Sequence, residues 1–239
     1  MIKSSFIKKQ IEKSKREKRT SNFLRRLIFL VVEKSLIEHY GDEYSMRCLQ
    51  SSVVISRILN DLGIKSREFF GAVCVSQVFE DSNRMSSWNG FWGDSHHVWT
   101  ITEYNELVDL SIGAIHAHPK SKEHKQVPMP PLWWSNIEYW PYILRYLPEG
   151  PIKLNLSESE TKDIEEFTAR TLKELEKTLN NKNVNSIEYS PILCGKDSLN
   201  ELYESGHLWM RGSYLLHESR IPPPVWVSKR EGELREKNC

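Results

Sequence analysis

The feature that most constrains this chain is a change in its hydrophobic periodicity at Gly63. Before it, apolar and small residues recur at helical spacing over residues 49–62, and Ser45 is placed to cap the start of that helix. After it, residues 68–79 read EFFGAVCVSQVF, a composition rich in Val and Phe that favours a strand. A helix that packs on the strand directly following it therefore forms the predicted centre of the fold.

Two more strands are predicted downstream of this centre. Residues 96–102 and 106–112 are apolar stretches separated by Glu103-Tyr104-Asn105. Asn tolerates the left-handed conformation that such a turn needs. The short connection predicts that the two strands pair antiparallel.

Two further helices are marked by the residues that cap them. Ser21 is expected to cap a helix that ends at Gly41. Ser157 and Glu160 have the spacing of a capping box and predict a helix that runs to about residue 180.

The rest of the chain gives weaker signals. Residues 186–193 favour a strand, residues 81–94 and 114–150 are predicted to be irregular, and residues 196–239 show no clear periodicity. The order of helices, then strands, then a further helix predicts the α+β class with an antiparallel sheet.

Basic charge is concentrated at the N-terminus. Residues 1–19 contain eight Lys or Arg and two Glu, whereas the whole chain has a formal net charge of +1. Residues 1–20 are therefore expected to form a solvated basic arm, helical or frayed, and residues 21–239 a single domain with its core motifs in 44–113. The nearly neutral total argues against nucleic acid as the main partner, and binding of nucleic acid by residues 1–26 is the weakest of the alternatives considered.

The sequence carries no signal for a membrane span or a disulfide framework. Its longest apolar run, LIFLVV at residues 27–32, is much shorter than the about 20 residues of a spanning helix. Four cysteines lie far apart, at positions 48, 74, 194 and 239, without the paired spacing of zinc or disulfide sites. A cytoplasmic protein with free thiols is expected.

Cys48 is the first candidate functional residue. If Ser45 caps the helix, Cys48 lies in its first turn, where unpaired N–H groups and the positive end of the helix dipole favour a thiolate. A thiolate at a helix start is a potential nucleophile, and a backbone N–H beside the sulfur is placed to stabilise an oxyanion.

His97 and Asp109 have the positions that a base and its orienting carboxylate need. His97, Trp99 and Ile101 share one face of the first predicted strand. A turn near Glu103-Tyr104 places Asp109, within LVDL, opposite or diagonal to His97. A buried carboxylate is costly unless it is paired, and an imidazole partner explains its presence.

The segment RCLQSSVVISRILNDLGIKSREFFGAV, residues 47–73, resembles the core of transglutaminase-like proteins. The similarity lies in the Cys that heads a helix, the helix ending in Leu-Gly-Ile, and the strand that follows. HVW at 97–99 resembles the family's His-Ala-Trp strand, and ELVDLS its aspartate strand. The resemblance covers about residues 44–113 and implies a papain-like (transglutaminase-like) fold with the triad Cys48, His97 and Asp109. His97 is the match rather than His96, because it lies two residues before Trp99.

The resemblance implies cysteine-dependent acyl transfer or hydrolysis on a peptide, amide or small acyl substrate, without a cofactor. Leu49 follows the cysteine where many relatives have an aromatic residue, and no second oxyanion donor stands out. The candidates for contact with substrate are Trp88, Trp92, Trp99 and Tyr44. YNELVDLSIG also resembles arylamine N-acetyltransferases, and a non-catalytic binding module of the same fold is a further alternative. The sequence gives no indication of the oligomeric state.

A cluster of histidines at positions 96, 116, 118 and 124 raises the question of a metal site. His-x-His on a strand is a spacing that metal sites use. The surrounding HAHPKSKEHK is polar, however, and is typical of a solvated loop. No metal is therefore predicted.

Overall fold

The computed structural model describes residues 5–81, 83–91, 96–117, 125–153, 155–181, 184–189 and 191–237. The first helices are α1 (Ser5–Glu17), α2 (Asn22–Tyr40) and α3 (Cys48–Asp61), and the later ones are α4 (Glu158–Leu179), α5 (Lys196–Glu204), α6 (Leu208–Glu218) and α7 (Val225–Lys237). The strands are β1 (Ser66–Gln77), β2 (Ser87–Phe91), β3 (His97–Thr102), β4 (Leu107–Asp109), β5 (Leu132–Trp134) and β6 (Leu144–Pro151). Short 3-10 helices span Gly41–Met46, Ser111–Ala117 and Val184–Ser186.

A single antiparallel sheet organises the molecule around β1. The strand order is β2-β1-β3-β4-β5, and β6 also pairs with β1. The first half of β1 pairs with β3 and the second half with β2, while β6 runs along residues 69–75. The α+β class with an antiparallel sheet is thereby confirmed.

Helices cover both faces of the sheet. Successive side chains of a strand point to opposite sides, so neighbouring apolar residues pack against different helices. Val108 and Trp133 pack with α2, α3 and α4, while their neighbours Leu107 and Trp134 pack with residues of α5 and α6. A smaller cluster joins α7 to β1 and β6 through Cys74, Leu147 and Val227. The described residues contain no helix long and apolar enough to cross a membrane.

Several predicted boundaries agree with the structure. Ser21 caps α2, which ends at Tyr40 before Gly41, and Ser157 with Glu160 forms the capping box of α4. The turn between β3 and β4 contains Asn105 at a φ of 59°, in the left-handed region.

The start of α3 differs from its prediction. Residues 41–46, including the expected cap Ser45, wind into a 3-10 helix, and α3 begins at Cys48. Arg47 occupies the N-cap position with φ −107° and ψ 45°, and its side chain makes no capping hydrogen bond. The N-cap of α3 therefore lies two residues later than predicted, at Arg47 instead of Ser45.

The basic N-terminal segment also differs from its prediction as a solvated arm. Its residues from Ser5 onward form α1, whose Ile7 side chain is fully buried in the helical core. The Phe6 ring packs edge-on against Phe23 of α2, with 4.9 Å between ring centroids. The Lys and Arg side chains of α1 remain exposed on its outer side.

The segments predicted as irregular contain regular structure, and one predicted strand is absent. Residues 81–94 include β2, residues 114–150 include β5 and most of β6, and residues 196–237 form three helices. The predicted strand at 186–193 is wrong in its described residues: Val184–Ser186 is a 3-10 turn, and Leu193 makes one isolated parallel bridge to Leu132.

Candidate active site

Cys48 is the first residue of α3 and is partly exposed. The backbone N–H groups of a first helical turn have no intrahelical acceptor, and the side chain of the N-cap residue Arg47 does not cap them. Arg47, just before the cysteine, has its guanidinium 4.4 Å from the centroid of the Tyr40 ring and 2.6 Å from a Glu43 carboxylate oxygen. Because Cys48 is the first residue of α3, its side chain lies at the positive end of the helix dipole, as expected from the sequence.

Two buried hydrogen bonds hold α3 on β3 one turn after Cys48. The Ser52 hydroxyl donates to the Val98 carbonyl at 3.0 Å, and the Thr100 hydroxyl donates to the Ser52 carbonyl at 2.9 Å. Small side chains on this face of α3, at Ser51, Ser52 and Ser56, are buried and allow the helix to lie close to the sheet. These contacts fix the position of Cys48 relative to the start of β3, where His97 lies.

His97 and Asp109 are brought together by the pairing of β3 with β4. Thr100 lies opposite Val108 and Ile101 opposite Leu107, so His97 and Asp109 are diagonal neighbours on the same face of the sheet. The His97 Nε2 to Asp109 Oδ2 distance is 2.6 Å, and both residues are 1% exposed. The predicted contact between these two side chains is present.

Asp109 has four hydrogen-bond donors. Its Oδ2 accepts from His97 and from the Tyr146 hydroxyl, the latter at 2.7 Å. Its Oδ1 accepts from the Ser111 hydroxyl at 2.9 Å and from the Ile112 backbone N–H at 3.0 Å. A buried carboxylate supplied with this many donors remains ionised and held in one orientation.

The His97 ring is fixed by stacking as well as by hydrogen bonding. The Phe91 ring lies parallel to it, with 5.0 Å between centroids and 5° between planes. Because Nε2 is bound to Asp109, Nδ1 is the remaining ring nitrogen. It is buried, and none of the described residues makes a hydrogen bond to it. The Cys48 thiol also interacts with this imidazole.

The electrostatics favour charge separation between the cysteine and the histidine. Burial alone raises the pKa of the Cys48 thiol, but the interaction with the His97 imidazole and its positive charge, together with a backbone hydrogen bond from Val98, lower that pKa overall. Burial also opposes protonation of His97, but the charge and hydrogen bond of Asp109, and then Cys48, raise the pKa of the imidazole to about 10.

The pKa of Asp109 shifts in the direction that supports this pairing. Burial raises it, but His97, Tyr146 and Ser111 outweigh burial, so the pKa of this carboxyl is lowered. These three shifts all favour charge separation, so the Cys48 thiol loses its proton more readily than a free thiol while His97 is protonated and Asp109 is ionised.

The four residues predicted to contact substrate lie in different environments. Trp99 is fully buried, with its ring 6.3 Å from that of His97. Trp88 is in β2, where its indole N–H donates to the Ile221 carbonyl at 3.2 Å. Tyr44 is 36% exposed and lines a cavity of about 340 Å³ that Ser111 also lines. Trp92 lies outside the described residues.

Three contributors to the site were not predicted from the sequence: Phe91, Tyr146 and the Ser52–Thr100 pair. Phe91 and Tyr146 lie in segments that were predicted to be irregular. Leu144 and Tyr146 are buried on either side of the partly exposed Arg145, but Leu147 is buried as well, so the period of two that indicates a strand is too short to recognise.

The histidine cluster lies largely in a segment that the structure does not describe. His118 and His124 lie outside the described residues. His96 Nε2 is 3.6 Å from a Glu149 carboxylate oxygen. Among the residues that are described, no group of three or more His, Cys, Asp or Glu side chains is arranged to hold a metal ion.

Comparisons with known proteins do not assign a family. No protein-family model matches the chain, and no curated protein is significantly similar to it. A solved structure described as the crystal structure of a genomics target is 13% identical, with a TM-score of 0.32, over 72% of this chain and 82% of the other. A TM-score of 0.32 supports no conclusion about fold or function.

Proposed function

We propose that the protein is a thiol enzyme that transfers or hydrolyses an acyl group, with Cys48 as nucleophile, His97 as acid and base, and Asp109 as the orienting carboxylate. The observation that carries the proposal is the buried His97–Asp109 pair at 2.6 Å, in which the imidazole also interacts with a partly exposed thiol at a helix start. A pair that serves only to stabilise the fold has no need of the thiol.

The chemistry follows from the charges on these three groups. The Cys48 thiolate attacks the carbonyl carbon of an amide or ester, and the carbonyl oxygen takes the negative charge. As the tetrahedral intermediate collapses, the His97 imidazolium gives its proton to the leaving amine or alcohol, and an acyl-thioester remains on Cys48. Neutral His97 then takes a proton from water or an amine, which attacks the thioester and releases the product and the thiolate.

The backbone supports this chemistry at the start of α3. Cys48 is the first residue of α3, so its backbone N–H has no acceptor within the helix and lies at the positive end of the helix dipole. Such a donor beside the sulfur stabilises the oxyanion of the intermediate. Asp109 holds the imidazole in one tautomer and stabilises its protonated form.

The proposed fold is the papain-like arrangement of transglutaminase-like proteins. A cysteine at the head of a helix, a histidine on a strand and an aspartate on the next antiparallel strand support it. An arylamine N-acetyltransferase-like enzyme has the same three residues and differs in its acyl donor and acceptor. A non-catalytic module with this fold has the same geometry but no turnover.

The test is to trap the acyl-enzyme with p-nitrophenyl acetate, a reactive ester that needs little substrate recognition. We expect a burst of nitrophenolate and an acetyl group on the peptide that contains Cys48, detected by mass spectrometry. Cys194→Ser, which removes another partly exposed thiol, should leave the burst unchanged. The proposal is wrong if Cys48→Ala shows the same burst, or if acetylation of Cys48 and Cys194 is equal.

A further inference from the structure

A second cavity, of about 650 Å³, lies between the β5–β6 connection and the helices α5 and α6. Its volume is within the range of small-molecule sites. None of Cys48, His97 and Asp109 lines it. It is therefore a separate feature of the molecule.

One wall of the cavity is aromatic and is formed by the end of β5 and the β5–β6 connection. The rings of Trp134 and Trp140 are stacked, with 6.1 Å between centroids and 16° between planes. The Trp134 indole N–H donates to the Tyr139 carbonyl at 2.9 Å, which holds the connection in place. Tyr142 completes this wall. The rings are thus fixed by the protein before any ligand arrives.

The opposite wall is formed by α5 and α6 and is also aromatic. Tyr203 and Tyr214 lie with 4.7 Å between ring centroids, and they are 39% and 37% exposed. Tyr139, on the first wall, is 71% exposed. Exposed aromatic rings gathered around one cavity are typical of a binding site. Two aromatic walls form a slot that suits a flat molecule, because aromatic rings pack face to face with an offset or edge to face.

The polar lining of the cavity is concentrated where the β5–β6 connection meets the start of α5. The Ser135 N–H donates to the Cys194 carbonyl at 3.2 Å. The next residue, Gly195, is so close to Ser135 that a Cβ at position 195 would lie 2.9 Å from the Ser135 hydroxyl oxygen. Lys196, the first residue of α5, is the only Lys, Arg, Asp or Glu among the described residues that line the cavity. The charge that this part of the lining presents to the cavity is therefore positive.

We propose that this cavity binds a planar aromatic molecule that carries an anionic group. The ring system lies between the two aromatic walls, and the carboxylate or phosphate is attracted to Lys196 at the start of α5. A sugar is a poorer fit, because a mostly apolar lining leaves most of its hydroxyl groups without partners. The proposal does not depend on the chemistry of Cys48, since the two sites share no lining residue.

The test is calorimetric titration of the full chain with three matched probes: naphthoate, its neutral amide naphthamide, and cyclohexanecarboxylate. We expect naphthoate to bind with saturation, and naphthamide to bind about threefold to fivefold more weakly because it lacks the charge. Cyclohexanecarboxylate should bind more weakly than both, because its ring is saturated and not aromatic. Failure to bind naphthoate at millimolar concentration would overturn the proposal.

Two substitutions at exposed residues separate the contribution of the aromatic wall to binding from that of the positive charge. Tyr139→Ala should weaken naphthoate and naphthamide alike, by about tenfold, because it removes one ring from the wall. Lys196→Gln should weaken naphthoate alone and bring it to the affinity of naphthamide. Lys162→Gln, an exposed substitution on α4 away from the cavity, is the control and should change nothing. Binding that persists equally in Tyr139→Ala and Lys196→Gln would show that the probes bind elsewhere.

Discussion

Tyr146 connects the candidate triad to the strand that runs beside β1. Its hydroxyl donates to the same carboxylate oxygen of Asp109 that His97 contacts, and it is buried between Trp99 and Trp140. Burial and the negative charge of Asp109 raise the pKa of Tyr146 well above its usual value, so the hydroxyl keeps its proton and remains a donor. We infer that Tyr146 positions Asp109 and, through it, His97.

We expect Tyr146→Phe to slow alkylation of Cys48 by iodoacetamide at pH 7 by about threefold to tenfold, because the carboxylate loses a buried donor and holds the imidazole less firmly. The rate is read from peptide mass spectrometry over time. Tyr189→Phe is the matched control, since its hydroxyl donates to Glu33 at 2.9 Å and not to a residue of the triad, and it should leave the rate unchanged. Equal rates in all three proteins would mean that Tyr146 has only a packing role.

At the scale of elements, the site depends on how closely β6, β1 and β3 approach one another. Gly71 in β1 lies opposite His97 in β3 and beside Leu147 and Pro148 in β6, where the β1–β6 register shifts. A Cβ at Gly71 would collide with the Leu147 carbonyl oxygen and crowd the backbone of residues 148 and 149. Because β3 carries His97 and β6 carries Tyr146, this approach determines the spacing of the site.

Gly71→Ala should therefore lower the free energy of unfolding by roughly 1–3 kcal/mol, because backbone rather than a flexible side chain has to move. Gly150→Ala is the control in β6, where an added Cβ meets nothing within 4 Å. Urea denaturation followed by circular dichroism measures both. A loss in Gly150→Ala as large as that in Gly71→Ala would contradict the steric explanation.

The elements that were predicted correctly are those whose signals are local. α2 and α4 have their cap residues, β1 has a long run of Val and Phe, and Asn105 marks the turn that joins β3 to β4. Because His97 and Asp109 lie on either side of that short turn, their contact follows from spacing alone.

The elements that were missed form through partners distant in the sequence. β2 contains Asn89 and Gly90, which disfavour strands, and it forms by pairing with residues 73–77 of β1. β5 has three residues, too few for a periodic signal, and lies between β4 and Leu193. The roles of Phe91 and Tyr146 follow from these long-range pairings, so sequence alone did not reveal them.

At the scale of the whole molecule, a buried ion pair joins the N-terminal helices to the sheet. The Arg25 guanidinium of α2 lies 2.6 Å from the carboxylate of Glu106, and both side chains are 1% exposed. Glu106 also accepts from the backbone N–H of Thr20 at 3.0 Å and from the Thr102 hydroxyl at 3.2 Å. The pair links the α1–α2 junction to the turn between the strands that carry His97 and Asp109.

Glu106→Gln should lower the free energy of unfolding by about 3–5 kcal/mol, because it leaves the Arg25 charge buried without a counter-ion. The control is Asp61→Asn, which breaks the exposed Arg57–Asp61 pair and should cost less than about 1 kcal/mol. The free energies of unfolding of the two variants are compared by urea denaturation. A Glu106→Gln protein that does not fold is taken to have lost more stability than Asp61→Asn. Similar small losses in both variants would contradict a structural role for the buried pair.

The central claim, that Cys48 and His97 form a thiolate–imidazolium pair, is tested most directly by the pH dependence of alkylation at each cysteine. We predict that Cys48 is alkylated at lower pH than a free thiol, whose reference pKa is about 8.5, because its own pKa is lowered. The imidazolium should persist until the pH approaches the His97 pKa of about 10. Cys74 is the buried control, since burial raises its pKa to about 12.

His97→Ala, measured beside the wild type, decides the question. If the pair exists, this substitution moves the midpoint of Cys48 alkylation to higher pH and leaves Cys194 unchanged. If Cys48 instead titrates like an ordinary thiol in the wild-type protein, or keeps its low midpoint without His97, the thiolate–imidazolium pair is absent and the proposed acyl-transfer chemistry loses its basis.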